Sequence, residues 1–324
     1  MKTRGEGHGH DTLPRKLFLV AVSTAIRPEL GYLLVSAAAH NLRPELLGLG
    51  DARLSFLHRE YSVKLEHVRK WLLDNLATHI VRPTDLVMHV DAYDVVLRGG
   101  EGAILQAWTD AGQPPVLVSV EKNLFPRRDL RPWFDAAADK HGAGSPYRYI
   151  NSGTYMGEAQ ALAQVLTMPE MQGTGDDQGM LQAAWKAARP GLIALDYHRH
   201  VFHVPIQDTF AHAVASQSPV MHFAGTTSRP FLKPYFQRFF PTALQPEVQD
   251  DTHWLRLKKK NMGTRQVSSS SSSSSSTGAH INCGNNVEDK SSKSPATIGL
   301  AVALSVVFVA CVVLAVLFGL TQRK

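Results

Sequence analysis

The chain has 324 residues, of which 44% are hydrophobic, enough to bury a full core in one or two domains. Its net charge of +6 is scattered except at Arg256-Leu-Lys-Lys-Lys260, which argues against a nucleic-acid partner and reads as a solvated segment end or a membrane-proximal basic patch. The only cysteines, Cys283 and Cys311, lie beyond the expected globular region, so no disulfide framework supports it, and no Asn-X-Ser/Thr sequon is present.

Residues 1–16 are polar, with His8 and His10 among glycines, and are expected to be disordered. Leu17-Phe-Leu-Val-Ala-Val22 has two readings, a first strand or the apolar core of a secretory signal; six apolar residues are short for a signal, which favours the strand. Residues 28–40 repeat apolar positions at helical spacing behind Pro28. A short strand and turn follow at 46–50, then an amphipathic helix at 61–76 built on Val63, Leu65, Val68, Trp71, Leu72 and Leu76.

The apolar run 85–90 reads as a buried strand that ends in Asp91-Ala-Tyr-Asp94 and resumes as Val95-Val-Leu97. Helices are expected near 103–111, 129–141, 159–166 and 178–188, with strands at 115–120, 147–157, 192–196 and 219–222. Strands alternating with helices predict a doubly wound α/β domain over residues 17–262.

Composition then changes. Residues 263–295 form a polar linker containing an unbroken serine tract from Ser268 to Ser276. Residues 296–320 are apolar, with no charge between Lys293 and Arg323. At about 1.5 Å per residue this segment exceeds a roughly 30 Å hydrocarbon core, so a single transmembrane helix is expected, with a tail at 321–324. Lys290 and Lys293 before the span balance Arg323 and Lys324 after it, so the positive-inside rule leaves orientation open.

In open α/β sheets ligands gather beyond the carboxyl ends of the strands, where Asp91 and Asp94 emerge. Two adjacent carboxylates repel unless a cation lies between them, and hard oxygen ligands suit Mg or Mn carrying a diphosphate. The bland alternative is that Asp91 caps a turn and Asp94 is solvated. A second acidic site, Asp176-Asp177-Gln178, opens a helix, where carboxylates also complement the helix dipole. His222 ends a strand and is followed by Gly225, Arg229 and Lys233, so it is a candidate third ligand with phosphate-neutralising cations behind it.

From about residue 17 to 240 the chain resembles the glycosyltransferase domain of the procollagen lysyl hydroxylases, itself related to the collagen galactosyltransferases. The resemblance is carried by Val20-Ala-Val-Ser-Thr24, Leu47-Gly-Leu-Gly50, Asp91-Ala-Tyr-Asp94, Ser119-Val-Glu121 with Phe125-Pro126, Ile150-Asn-Ser-Gly-Thr-Tyr-Met-Gly157, Asp176-Asp-Gln178 and Asp196 with Val201-Phe202, in that order. It implies a GT-A-type (Rossmann-like) fold that binds a UDP-hexose through Mn(2+), with Mg(2+) as the alternative metal. Asp91, Asp94 and His222 would ligate the metal, Tyr93 would pack on the uracil or ribose, and Lys64 would contact the nucleotide. Asp176 and Asp177 would face the sugar and acceptor, and Asn151 the sugar pocket, while Val22, Thr24, Phe125, Ser152, Gly153, Gln178, Gly225 and Arg229 would line the donor. For an inverting transfer Asp176, Asp177 or Glu121 would deprotonate the acceptor hydroxyl.

The chain departs from that family's pattern in places. Glu60-Tyr-Ser-Val63 replaces a Gly-Gly-Gly-Gln, Phe125 stands where the family has tryptophan, and Arg229 stands in for a lysine. The expected function is therefore a membrane-anchored transfer of galactose or glucose from a UDP-sugar to a hydroxyl, of a hydroxylysine-like or other protein or glycan acceptor. Two alternatives compete: a non-catalytic nucleotide-sugar-binding or surface display protein, and a 2-oxoglutarate/iron oxygenase using His89-Val-Asp91.

Overall fold

A computed structural model describes residues 14–54 and 60–242. The serine linker, the expected transmembrane segment, both cysteines and the basic run at 256–260 lie outside the described residues, as do residues 1–13 of the expected disordered terminus. Among the described residues no helix is long and apolar enough to cross a membrane.

The chain order is β1 (Leu17–Val22), α1 (Leu30–Ala39), β2 (Glu45–Leu47), α2 (Ser62–Ala77), β3 (Leu86–Asp91), β4 (Val95–Leu97), α3 (Glu101–Asp110), β5 (Val116–Glu121), α4 (Arg131–His141), β6 (Tyr149–Glu158), α5 (Ala159–Leu166), α6 (Asp177–Ala187), β7 (Ile193–Leu195), β8 (Phe202–His203), α7 (Phe210–Ala215), β9 (Val220–His222) and α8 (Gly225–Phe239). Residues 17–22 are a strand, as their shortness for a signal suggested.

Six strands form the main sheet in the order β2-β1-β3-β6-β5-β7. The expectation of a doubly wound sheet needs two corrections. The sheet is mixed: β6 runs antiparallel to both β3 and β5, while β1, β2 and β3 are mutually parallel and β7 is parallel to β5. In addition, β4 does not extend β3 within that sheet but joins β9 and β8 in a separate three-stranded sheet. The Asp91-Ala-Tyr-Asp94 turn is therefore the hinge between two sheets, which a linear apolar run cannot reveal.

Period-two alternation sorts each central strand onto two cores. Val20, Val22, Val87 and Val118 face α2, α4, α5 and α6, represented by Leu65, Val68, Phe134, Leu162 and Leu181. Leu19, Ala21, Leu86, Met88 and Val90 face α1 and α3, through Leu33, Ala37, Ile104 and Trp108, together with Val95 and Leu97 of β4. The outer side of the small sheet is covered by α8: Val96 and Met221 pack with Leu232, Tyr235 and Phe236. Burial on both faces explains why β3 is apolar at successive positions, with His89 as the one polar residue between Leu86 and Val90, rather than alternating.

Candidate functional site

Each expected metal ligand is delivered by a different backbone device. Asp91 is the last residue of β3, in register with Val22 of β1. Asp94 closes the turn, and its carbonyl accepts a hydrogen bond from the Phe223 amide at 2.7 Å. The pairing of β4 with β9 sets His222 opposite Val95, so the same ladder that holds Asp94 in place brings His222 alongside.

The three side chains converge. His222 Nε2 lies 3.2 Å from Asp94 Oδ1 and 3.6 Å from Asp91 Oδ2. One ligand atom from each falls within 4.8 Å of the others, and among the described residues this is the cluster of histidine, cysteine and carboxylate groups able to hold a metal ion. His222 is buried, and neither of its ring nitrogens makes an aligned hydrogen bond. A buried polar atom without a partner is costly. Two carboxylate oxygens facing a buried imidazole nitrogen that makes no aligned hydrogen bond suit a divalent cation of the Mn, Mg or Zn type, so the residues fit such an ion.

Room for this cluster depends on Gly153. β3 pairs with β6 at Val90–Thr154, which puts Gly153 beside Asp91. A Cβ there would stand 2.1 Å from His222 Cε1 and 2.8 Å from Asp91 Oδ2. Gly153 of the 150–157 motif is thus a steric requirement of the acid cluster.

Cations surround the acids. Lys64, in the first turn of α2, donates to Asp91 Oδ1 at 2.9 Å and lies 2.7 Å from Asp177 Oδ2. It reaches them because Ser62 and Gly175 exchange hydrogen bonds, which fastens the start of α2 to the loop before α6. Burial opposes the charge on Lys64, and Asp177 and Asp91 more than offset it, so its pKa lies above the usual ammonium value. Arg229 of α8 donates to Asp94 Oδ2 at 3.2 Å. Burial would raise Asp94, but His222, Arg229 and Lys64 hold it down to about 2. The pKa of His222 moves up because Asp94 outweighs the opposing effect of burial.

The acidic pair at the α6 start divides. Asp176 is the N-cap, accepting from the Gly179 amide at 2.9 Å, which is the structural use of such a residue. Asp177 instead is buried, accepts from Ser152 Oγ at 3.0 Å and pairs with Lys64; burial raises its pKa despite Lys64. Glu121, at the end of β5, accepts from Asn151 Nδ2 at 2.8 Å, and burial pushes it up to about 7 against the stabilising effects of Asn151, His222 and Gln178. Asn151 Oδ1 in turn accepts from the Gly153 amide at 3.0 Å. Ser152, Gly153, Asn151, Gln178, Asp177 and Glu121 therefore form one wall: Gln178 Oε1 accepts from the Ser152 amide at 3.3 Å.

Other expected residues take more specific places. Tyr93 does not present a free hydroxyl. It donates to Ala25 O at 2.7 Å, accepts from the Ala25 amide at 3.2 Å and lies 3.0 Å from Ser23 Oγ, while the Arg27 guanidinium sits 5.1 Å above its ring. Val22 is buried, with Cγ1 packed towards Gly48, and the Thr24 carbonyl accepts from the Gly50 amide. Gly225 begins α8 with a φ of +70°. Phe125 is exposed and joined to Pro126 by a cis bond; its carbonyl accepts from both Gln178 and Gln182.

Arg27 and Gln182 escaped the sequence reading. Arg27 carries no local signal. Gln182 did, since it lies four residues from Gln178 on one helix face and both amides hold the same carbonyl. His89 is not part of the cluster, contrary to the oxygenase alternative: it stacks on Tyr155 at 4.7 Å, and burial lowers its pKa to about 3.

Human multifunctional procollagen lysine hydroxylase and glycosyltransferase LH3 is 30% identical over 168 residues, covering 51% of this chain and 21% of that protein. The Caenorhabditis elegans multifunctional procollagen lysine hydroxylase and glycosyltransferase is 26% identical over 170 residues, covering 50% and 22%. The aligned part thus spans about a fifth of these curated relatives. Among solved structures, a glycosyltransferase involved in glycosylation of the major capsid of PBCV-1 aligns over 67% of this chain and 98% of its own, with a TM-score of 0.40 and 13% identity. Mouse xyloside xylosyltransferase 1 aligns over 66% and 99%, with a TM-score of 0.36 and 10% identity. The family model described as the PLOD GT domain matches residues 13–209, the stretch holding β1 to β8 and every site residue except His222, Gly225 and Arg229: the chain belongs to that glycosyltransferase-domain family.

Proposed function

We propose that this protein is a metal-dependent GT-A-type glycosyltransferase moving a hexose, galactose or glucose, from a UDP-sugar to a hydroxyl acceptor. The observation that carries the reading is the convergence of Asp91, Asp94 and His222, packed so closely against β6 that residue 153 has to be glycine.

Asp91, Asp94 and His222 would hold Mn(2+) or Mg(2+), which when bound neutralises the two phosphates and lets UDP leave without a strong acid. Lys64 and Arg229 flank the ligands and supply further positive charge towards the diphosphate. The nucleoside lies against Tyr93, whose ring is pinned to the loop after β1 by its own hydroxyl. Asn151 and Ser152 line the sugar side, held by Glu121 and Asp177. Glu121 suits the acceptor's proton, because its carboxyl, raised to about 7, sits near neutrality, where a base both exists deprotonated and holds a proton well. Asp177 is less suited, since Lys64 and Ser152 already occupy one of its oxygens.

We place the domain on a membrane through residues 296–320, behind the serine linker, and protease protection of intact vesicles reads which side it faces. The test of the chemistry is UDP release from UDP-galactose and UDP-glucose with and without Mn(2+). Wild type should turn over only with metal, and a folded Asp94→Ala protein should not. Undiminished turnover by Asp94→Ala would overturn the reading.

A further inference from the structure

Asp91 and Asp94 share a pattern. Each turns one oxygen towards His222 and the other towards a cation: Asp91 Oδ1 to Lys64 at 2.9 Å, and Asp94 Oδ2 to Arg229 at 3.2 Å. Each of the two carboxylates that would hold the metal ion is therefore already engaged by a cation, the Lys64 ammonium for Asp91 and the Arg229 guanidinium for Asp94. Three aspartates, 91, 94 and 177, meet two basic side chains in this cluster, so its carboxylate charge is already largely compensated from within.

From this we infer that Lys64 and Arg229 act as internal competitors of the metal and so make metal binding depend on the nucleotide. The inference rests on the donor site proposed above. A bare dication entering the cluster leaves it with excess positive charge at short range in a partly dry site, where Coulomb repulsion is strong. A diphosphate arriving with the dication reverses that balance, because its oxygens accept from the same two cations. Metal and nucleotide then bind cooperatively, and by linkage each tightens the other by the same factor. Order follows from charge: the bare metal binds weakly, and the metal–nucleotide pair binds well.

The experiment is a Mn(2+) titration of the full chain by equilibrium dialysis against protein-free buffer of the same UDP content, read as the excess Mn(2+) on the protein side, with and without saturating UDP. Wild type should bind bare Mn(2+) weakly and bind it about tenfold or more tightly with UDP, within the range usual for coupled sites. Arg229→Gln should tighten bare Mn(2+) binding by roughly tenfold and shrink the effect of UDP by a similar factor. Arg229→Lys, which keeps the charge, should behave as wild type, and that rescue separates charge from packing. Lys64→Met is the second probe, scored once its unfolding transition confirms a folded protein. If Arg229→Gln binds bare Mn(2+) no more tightly than wild type while wild type keeps its UDP-linked binding, the competitor role is wrong and the donor site stands. If wild type takes up no Mn(2+) even with UDP, or Asp94→Ala takes it up equally well, the donor site itself falls and takes this inference with it.

Discussion

Gly153 and His222 lie so close that a methyl group on the first would stand 2.1 Å from Cε1 of the second. The contact joins the antiparallel strand β6 of the main sheet to β9 of the small one, with Asp91 Oδ2 beside it, 2.8 Å from the same methyl position. Gly153→Ala must displace the imidazole, the Asp91 carboxylate or the backbone of β6, and so disturb the cluster. Overpacking of this kind costs about 1–3 kcal/mol, so the melting temperature should fall by a few degrees. Metal-dependent UDP release should fall by roughly a hundredfold, the usual penalty for displacing a reacting constellation by an ångström. Full activity in a folded Gly153→Ala protein would show that His222 is not needed where it stands.

Asp176 and Asp177 are neighbours with different tasks, and a pair of substitutions separates them. Asp176→Ala removes an N-cap and should cost about 1 kcal/mol of stability while leaving turnover largely intact. Asp177→Asn removes the buried partner of Lys64 and Ser152, and should lower kcat well beyond any loss of stability. Thermal unfolding and UDP release on the two proteins check this directly, and a reversed pattern would assign the chemistry to Asp176.

Glu121 makes stability depend on pH with a definite sign. Its folded pKa of about 7 lies above the ordinary value of 4.5, so between those values the folded state holds a proton that the unfolded chain has lost. Stability therefore falls as pH rises from about 4.5 to about 7 and levels off above, by an amount on the order of 3 kcal/mol for this group alone. Glu121→Gln should flatten that slope in denaturant titrations across the same window. If Glu121 takes the acceptor proton, the same change also removes the acid limb near pH 7 from the kcat/KM profile.

The Tyr93 hydroxyl fastens the loop after β1 at Ser23 and Ala25, so in the proposed donor site it would act on the nucleotide through the loop's shape. Tyr93→Phe keeps the ring and loses these bonds, each worth about 1 kcal/mol. The KM for the UDP-sugar should rise several-fold with kcat little changed, whereas Tyr93→Ala, which also removes the stacking face, should be worse in KM by a further margin. Steady-state kinetics on the two variants decide between a tether and a mere wall.

Much of this was written in local order. Strand β3 shows as a largely apolar run because both its faces are covered, and the helices containing Leu65, Val68 and Leu72, or Leu162 and Val165, show as spaced apolar positions because one face of each is covered. Asp91, Asp94 and Asp177 were visible as carboxylates at strand and helix ends. The β8–α7–α8 region was not: β8 is two residues long, and α8 carries Pro230 and Pro234, which argue against a helix until Leu232, Tyr235 and Phe236 find the small sheet to pack on.

The chain by itself determined the types of its elements up to β7, the acids that end them and the glycine among them, since each is a matter of spacing and side-chain chemistry over a few residues. Tertiary structure alone decided that β4 leaves β3 to pair with β9, that Asp176 caps while Asp177 meets Lys64, and that Arg229 reaches Asp94. The reason is physical: periodicity records which face of an element is buried, while a charge cluster exists only after strands distant in sequence have paired and brought its members within Coulomb range.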